Sequence, residues 1–186
     1  MRQIESFFLG IIAALGALVV EIVLFGFQDI SRPFELGIYS LFGMALVEET
    51  LKYLFIAGRI EMFSLYRSLV INSFFLGAGF SLVEILLRSQ GENFEIKSAE
   101  TLLGISGIAV LQMTTAGIMG RTVSWRNPSK IKTFFVSVSP AFLIHFGYNS
   151  AVLYGEKYPL FFIIIPLLAI LLFIDAIIIF KSNDEI

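Results

Sequence analysis

Residues 41–56 read Leu41-Phe42-Gly43-Met44-Ala45-Leu46-Val47-Glu48-Glu49-Thr50-Leu51-Lys52-Tyr53-Leu54-Phe55-Ile56, part of a long apolar run broken by two adjacent glutamates and a lysine. Ionisable side chains within hydrocarbon are expensive, so they turn toward a bundle interior and mark a functional site by default. Three more apolar runs carry polar groups of the same kind: Phe80-Ser81-Leu82-Val83-Glu84, Gln112, and His145-Phe146-Gly147-Tyr148-Asn149. The chain therefore reads as all-α, a polytopic transmembrane helix bundle whose polar residues face one another.

Composition agrees. The 186 residues are 57% apolar and only 15% charged, with a mean hydropathy of +0.86, outside the balance of a soluble domain. A formal net charge of -2 and no extended basic run leave no electrostatic footprint for nucleic acid. There is no cysteine, which removes disulfides, a thiol nucleophile and cysteine-based zinc sites.

A span takes about 20 apolar residues. Polar breaks at 28–33, 59–67, 88–97, 121–132 and 155–159 divide the chain into six helices, expected near 6–27, 34–57, 68–88, 101–121, 133–154 and 159–180. Short connections predict a single integral membrane domain over 1–186. The first apolar stretch exceeds a signal-peptide core and lacks its exit motif, so it reads as a retained span. Glu21 within it is expected near the outer interface or snorkelling there. On one side of the membrane fall Arg2, Arg59, Arg67, Arg121, Arg126, Lys130, Lys132 and Lys181, and on the other Arg32, Arg88, Lys97 and Lys157. That asymmetry puts both termini in the cytoplasm, with the plasma membrane as the expected location. Ser73, Gly77 and Ser81, and Gly104, Gly107, Ala116 and Gly120, read as small-residue packing faces. The 90–99 loop reads as a linker or an entry gate.

On a helix Lys52 lies four residues after Glu48 and three after Glu49, so its ammonium can reach either carboxylate but neutralise only one. The other is free to take up and return a proton. Glu84 either faces Glu48 as a second acid or pairs with Arg88 four residues on. His145 and Asn149, also four apart, offer an imidazole and an amide donor suited to a developing oxyanion, with Gly147 between them for close approach.

These motifs resemble the PrsW-type intramembrane proteases, relatives of the type II CAAX-processing proteases and the γ-secretase scaffold subunit. Glu48-Glu49-x-x-Lys52 matches the EExxK motif. Phe80-x-x-x-Glu84 matches FxxxE, which separates PrsW proteins from the FxxxH of CAAX enzymes, and His145-x-x-x-Asn149 matches HxxxN. The motif-bearing core covers roughly 40–150. Where the family carries another histidine on its fourth helix, this chain offers Gln112, which can hold a water or donate a hydrogen bond but is neither an imidazole base nor a good metal ligand.

The resemblance implies an intramembrane endopeptidase that hydrolyses membrane-anchored proteins or peptides within the lipid bilayer. The expected roles are Glu48, with Glu84 nearby, activating water; Lys52 pairing with Glu49; His145 and Asn149 stabilising the oxyanion or orienting the water; and Phe80 and Gln112 positioning substrate or water. A divalent metal such as zinc would be held by Glu48, Glu84 and His145 with an open fourth position. The alternatives are an inactive membrane scaffold that binds a partner's transmembrane helix, and a proton- or cation-coupled carrier. Depth raises one conflict: with a second helix starting at Phe34, Glu48 lies about 21 Å in, too deep to meet Glu84 near the outer end of the third. A start near Tyr39, running on through Ile60 to Phe63, repairs it.

Overall fold

A computed structural model of the protein describes residues 2–26, 37–63, 66–89 and 99–153. All regular structure among them is helical: α1 (Arg2–Phe25), α2 (Ile38–Phe55), α3 (Tyr66–Arg88), α4 (Ala99–Trp125) and α5 (Ile131–Leu153). The sixth expected span and almost all of the 90–99 loop lie outside the described residues.

The packing of α1 reveals its solvent. Its buried face is Ser6, Gly10, Ala13, Ala14, Ala17 and Glu21, spaced by three and four residues. The large apolar side chains Ile4, Phe8, Ile12, Leu15, Val19 and Val23 stand on the exposed face. Small residues inward and large aliphatic ones outward invert the pattern of a water-soluble helix and match helices associating in lipid. By length and composition, Arg2–Phe25 and Ser68–Arg88 can cross a membrane.

Helix α3 is the hub. Gly79 meets the backbone of Phe7 on α1, where an added Cβ would lie 2.9 Å from the Phe7 carbonyl carbon. Gly77 meets the backbone of α4, where a Cβ would lie 2.7 Å from Met113 Cα and 2.8 Å from the Gln112 carbonyl carbon. Two glycines thus set α3 against a helix on each side; Gly77 belongs to the expected small-residue stripe, whereas Gly79 lies off it. Gly104, expected to make such a close approach, meets nothing within 4 Å among the described residues.

Neighbour contacts run α1–α3–α4–α5–α2 and return to α1, closing a ring. Tyr53, Ile56, Ile60, Leu69, Leu76, Met119 and Val138 fill part of that interior, and the charged groups occupy another part.

Helix α2 begins at Ile38, not 34, and continues through a π-helical segment, Ile56–Ile60, and a turn, Glu61–Phe63. The later start brings Glu48 to about 15 Å from the helix origin, which resolves the depth conflict in favour of the shifted helix. The Ile56 N–H is shared between the carbonyls of Lys52 and Tyr53, so the π segment starts directly after the charged turn. Tyr53 Oη donates to Pro128 O at 2.9 Å and ties this end of α2 to the α4–α5 turn. Helix α4 runs four residues past its expected end, because Arg121 stays exposed on the helix surface instead of breaking it. The stop comes at Asn127-Pro128, where proline disfavours the helical region for the residue before it and Asn127 Oδ1 accepts the Ser129 N–H at 2.9 Å.

Candidate active site

Glu48, Glu49 and Lys52 share the inward face of α2, all under one-tenth exposed. Lys52 chooses Glu49: its Nζ donates to Glu49 Oε1 at 2.5 Å, to Thr115 Oγ1 at 3.0 Å and to Gln112 Oε1. All three ammonium protons have acceptors, the condition for burying this charge. The Phe80 ring lies beneath it, its centroid 4.9 Å away, so Phe80 touches the charge network directly.

Gln112 is engaged at both ends. Its Nε2 donates to Glu84 Oε2 at 2.5 Å and to Glu48 Oε2 at 3.1 Å. The other oxygen of Glu84 accepts from Arg88 at 2.7 Å, the i,i+4 pair foreseen, while its first shares the Gln112 amide with Glu48. A single amide thus couples α4 to α2 and α3 and holds two carboxylates side by side without a cation between them.

His145 is fully buried. Its Nδ1 lies 2.5 Å from Glu49 Oε1; an ionised carboxylate only accepts, so Nδ1 carries a proton, and in the neutral imidazole Nε2 presents its lone pair. That Nε2 has no hydrogen-bond partner among the described residues and lies 3.7 Å from Glu48 Oε2. Glu49 therefore accepts hydrogen bonds from Lys52 and His145 at one oxygen and fixes the imidazole's orientation toward Glu48. Asn149, one turn on, lines the adjoining cavity. Gly147 meets no neighbour within 4 Å among the described residues, so none of the described helices makes the close approach expected there.

That cavity, about 70 Å³, is bounded by α1, α2, α3 and α5. Its polar lining is Glu21, Glu48, Glu84, Arg88 and Asn149. Glu21 lies near the end of α1 as expected, but its side chain turns inward instead of snorkelling. It is 5% exposed, inside the bundle and not lipid-facing. The signal was available in the Ala14, Ala17, Glu21 spacing, which puts the carboxylate on the small-residue stripe.

A zinc ion on Glu48, Glu84 and His145 needs the three donors about 2 Å from a common point. The side chains do not form that set. No three His, Cys, Asp or Glu residues come together as a metal-holding group among the described residues, and Gln112 Nε2 occupies the approach between the two carboxylates.

No curated protein and no solved structure matches this chain. A carboxylate, an imidazole and an amide meeting inside a lipid-packed bundle suit hydrolysis away from bulk water, and residues 3–177 match the PrsW family intramembrane metalloproteases, the family to which this chain belongs.

Proposed function

We propose that the chain is an endopeptidase that cleaves membrane-anchored proteins or peptides at the Glu48–His145 pair. The observation that carries this reading is His145 Nε2, without a hydrogen-bond partner among the described residues and 3.7 Å from a Glu48 oxygen whose residue also lines the cavity. A water about 2.8 Å from each would bridge the two by donating to both, which leaves its oxygen lone pairs available for attack.

In this reading Glu48 removes a proton from the water and the oxygen attacks the peptide carbonyl carbon. His145 holds the attacking oxygen, and the Asn149 amide donates to the oxyanion. Collapse breaks the C–N bond, and the proton on Glu48 passes to the leaving amine, giving a carboxylate and an amine. Glu49 and Lys52 act through His145, by orienting it and fixing its tautomer, as the buried acid of a hydrolase triad does. Gln112 and Arg88 keep Glu84 beside Glu48, and Phe80 supports Lys52. The family description names a metal; since the donors here do not fit one, no step runs through it.

The finer topology is part of the same proposal. It takes 1–186 as one membrane domain in the plasma membrane, with the cation asymmetry favouring cytoplasmic termini.

The test is cleavage of single-span reporters in proteoliposomes by wild type, Glu48→Gln and His145→Ala, each with and without chelator. Removing a general base costs roughly 10²–10⁴-fold, so Glu48→Gln is expected to lose cleavage by at least that lower bound while remaining folded. Full activity in Glu48→Gln overturns the assignment. A folded wild type that cuts nothing in a panel accepted by an active relative makes the chain a scaffold for partner helices.

A further inference from the structure

Glu21 takes no part in the chemistry above, yet it is placed as a binding group. It sits on the α1 stripe with Ala14 and Ala17, residues that pack against Phe80 and Val83 of α3. Its Oε1 is buried and has no hydrogen-bond partner among the described residues. The cavity it lines has three carboxylates, Glu21, Glu48 and Glu84, and one cation, Arg88. The interactions assign these groups unequally. Arg88 and Gln112 serve Glu84, and Gln112 serves Glu48, so neither the guanidinium nor the amide is bonded to Glu21.

A buried carboxylate oxygen without a donor is costly, and the free space adjoining this one is the cavity itself. Besides its polar groups the cavity is walled by apolar side chains, including Leu18, Leu41, Met44 and Leu87. The missing complement is therefore a donor, preferably cationic, carried on an aliphatic stem. With on the order of 10–15 Å³ needed per water-sized group, the cavity's volume of about 70 Å³ takes an ammonium or guanidinium head with its last methylenes. Its position also suits such a group: Glu21 is near the end of α1, Glu84 and Arg88 are in the last turns of α3, and Leu41 is in the first turn of α2. Lys and Arg side chains of membrane proteins concentrate at span ends, where their stems lie along apolar surface.

We infer that Glu21 forms a specificity subsite for a Lys or Arg side chain at the end of the substrate's membrane segment. The inference rests on the proteolytic reading for its use, but the subsite is defined by binding and can be tested without cleavage.

Two measurements separate the ideas. In the first, single-span peptides carrying Lys, Gln or Leu at successive positions near the span end are bound in bilayers to the Glu48→Gln variant, alone and combined with Glu21→Gln. A hydrogen bond to a charged group is worth roughly tenfold or more in affinity, so one Lys position should bind at least that much tighter than its Leu counterpart. Adding Glu21→Gln should bring the ratio near one, and Glu21→Lys should transfer the preference to a Glu-bearing peptide. In the second, the same pairs are cleaved by wild type and Glu21→Gln, with the Lys-to-Leu ratio of kcat/KM collapsing through KM rather than kcat. Binding without Lys preference, or with a preference that Glu21→Gln leaves intact, overturns the subsite. Lys-selective binding without cleavage by wild type overturns the proteolytic reading and leaves the subsite standing.

Discussion

Gly77→Ala tests the geometry on which the whole candidate site depends, because it adds one methyl group where α3 touches the backbone of Gln112. The new Cβ would lie 2.7 Å from Met113 Cα and 2.8 Å from the Gln112 carbonyl carbon, whereas carbon atoms rest about 3.5–4.0 Å apart. Both neighbours are backbone, so the helices must part by about 1 Å. That displacement carries Gln112 away from Glu84 and stretches their 2.5 Å bond to about 3.5 Å, beyond useful length. Overpacking costs about 1–3 kcal/mol, and a lost hydrogen bond to a charged group about 1.5–3 kcal/mol. Alanine's better helix propensity returns about 1 kcal/mol. The net is a destabilisation of about 3 kcal/mol, or roughly 6–12 °C in Tm for a chain of this size. Cleavage should fall about 10²-fold, the usual consequence of misplacing reacting groups by about 1 Å. The assay is thermal unfolding in detergent together with reporter cleavage, with Gly104→Ala as the control. Among the described residues nothing lies within 4 Å of where a Cβ on Gly104 would go, so that change should be neutral or slightly stabilising. A Gly77→Ala protein that unfolds and cleaves like wild type refutes the reasoning.

Lys52→Met leaves Glu49 buried without its ammonium and should destabilise by about 3–5 kcal/mol; a double variant with Glu49→Gln should recover much of this in unfolding measurements, and additive losses would contradict the pairing. Tyr53→Phe removes the bond to Pro128 O and should lower stability by about 1 kcal/mol with cleavage unchanged; a tenfold cleavage loss would place Tyr53 in the chemistry. Chelator should leave wild-type cleavage intact, whereas Gln112→His, which adds an imidazole beside Glu48, Glu84 and His145, should retain about one zinc per chain after dialysis. Stoichiometric zinc in the wild type would contradict the misfit of its donors.

How far the sequence carried these conclusions depended on whether a signal was local. Glu48, Glu49, Glu84, Gln112 and His145 each announced themselves as a polar residue in an apolar span, because the cost of placing such a group in lipid belongs to that residue alone. Partner choice is not local. Lys52 stood within reach of two carboxylates on its own helix, and the choice of Glu49 accompanies contacts from α4 and α5: Gln112 bonds Lys52 while covering Glu48, and His145 adds its proton to Glu49. The start of α2 was recoverable because two carboxylates required a common depth, a constraint stronger than the hydropathy that first suggested 34.

Glu21 and Gly147 show where position along the chain alone misleads. Glu21 was read from its position along a span and Gly147 from its place between His145 and Asn149, yet what decides their role is the angle around the helix. Glu21 shares its face with Gly10, Ala13, Ala14 and Ala17, residues that pull α1 toward α3, so its carboxylate is carried inward although it lies near the helix end. Gly147 lies only two residues from His145, about 200° around an ideal helix, and therefore faces away from the interior that the histidine enters. In a lipid-embedded bundle, the small-residue stripe is thus the better guide to which polar groups can meet, since it marks the inward face before any partner is known.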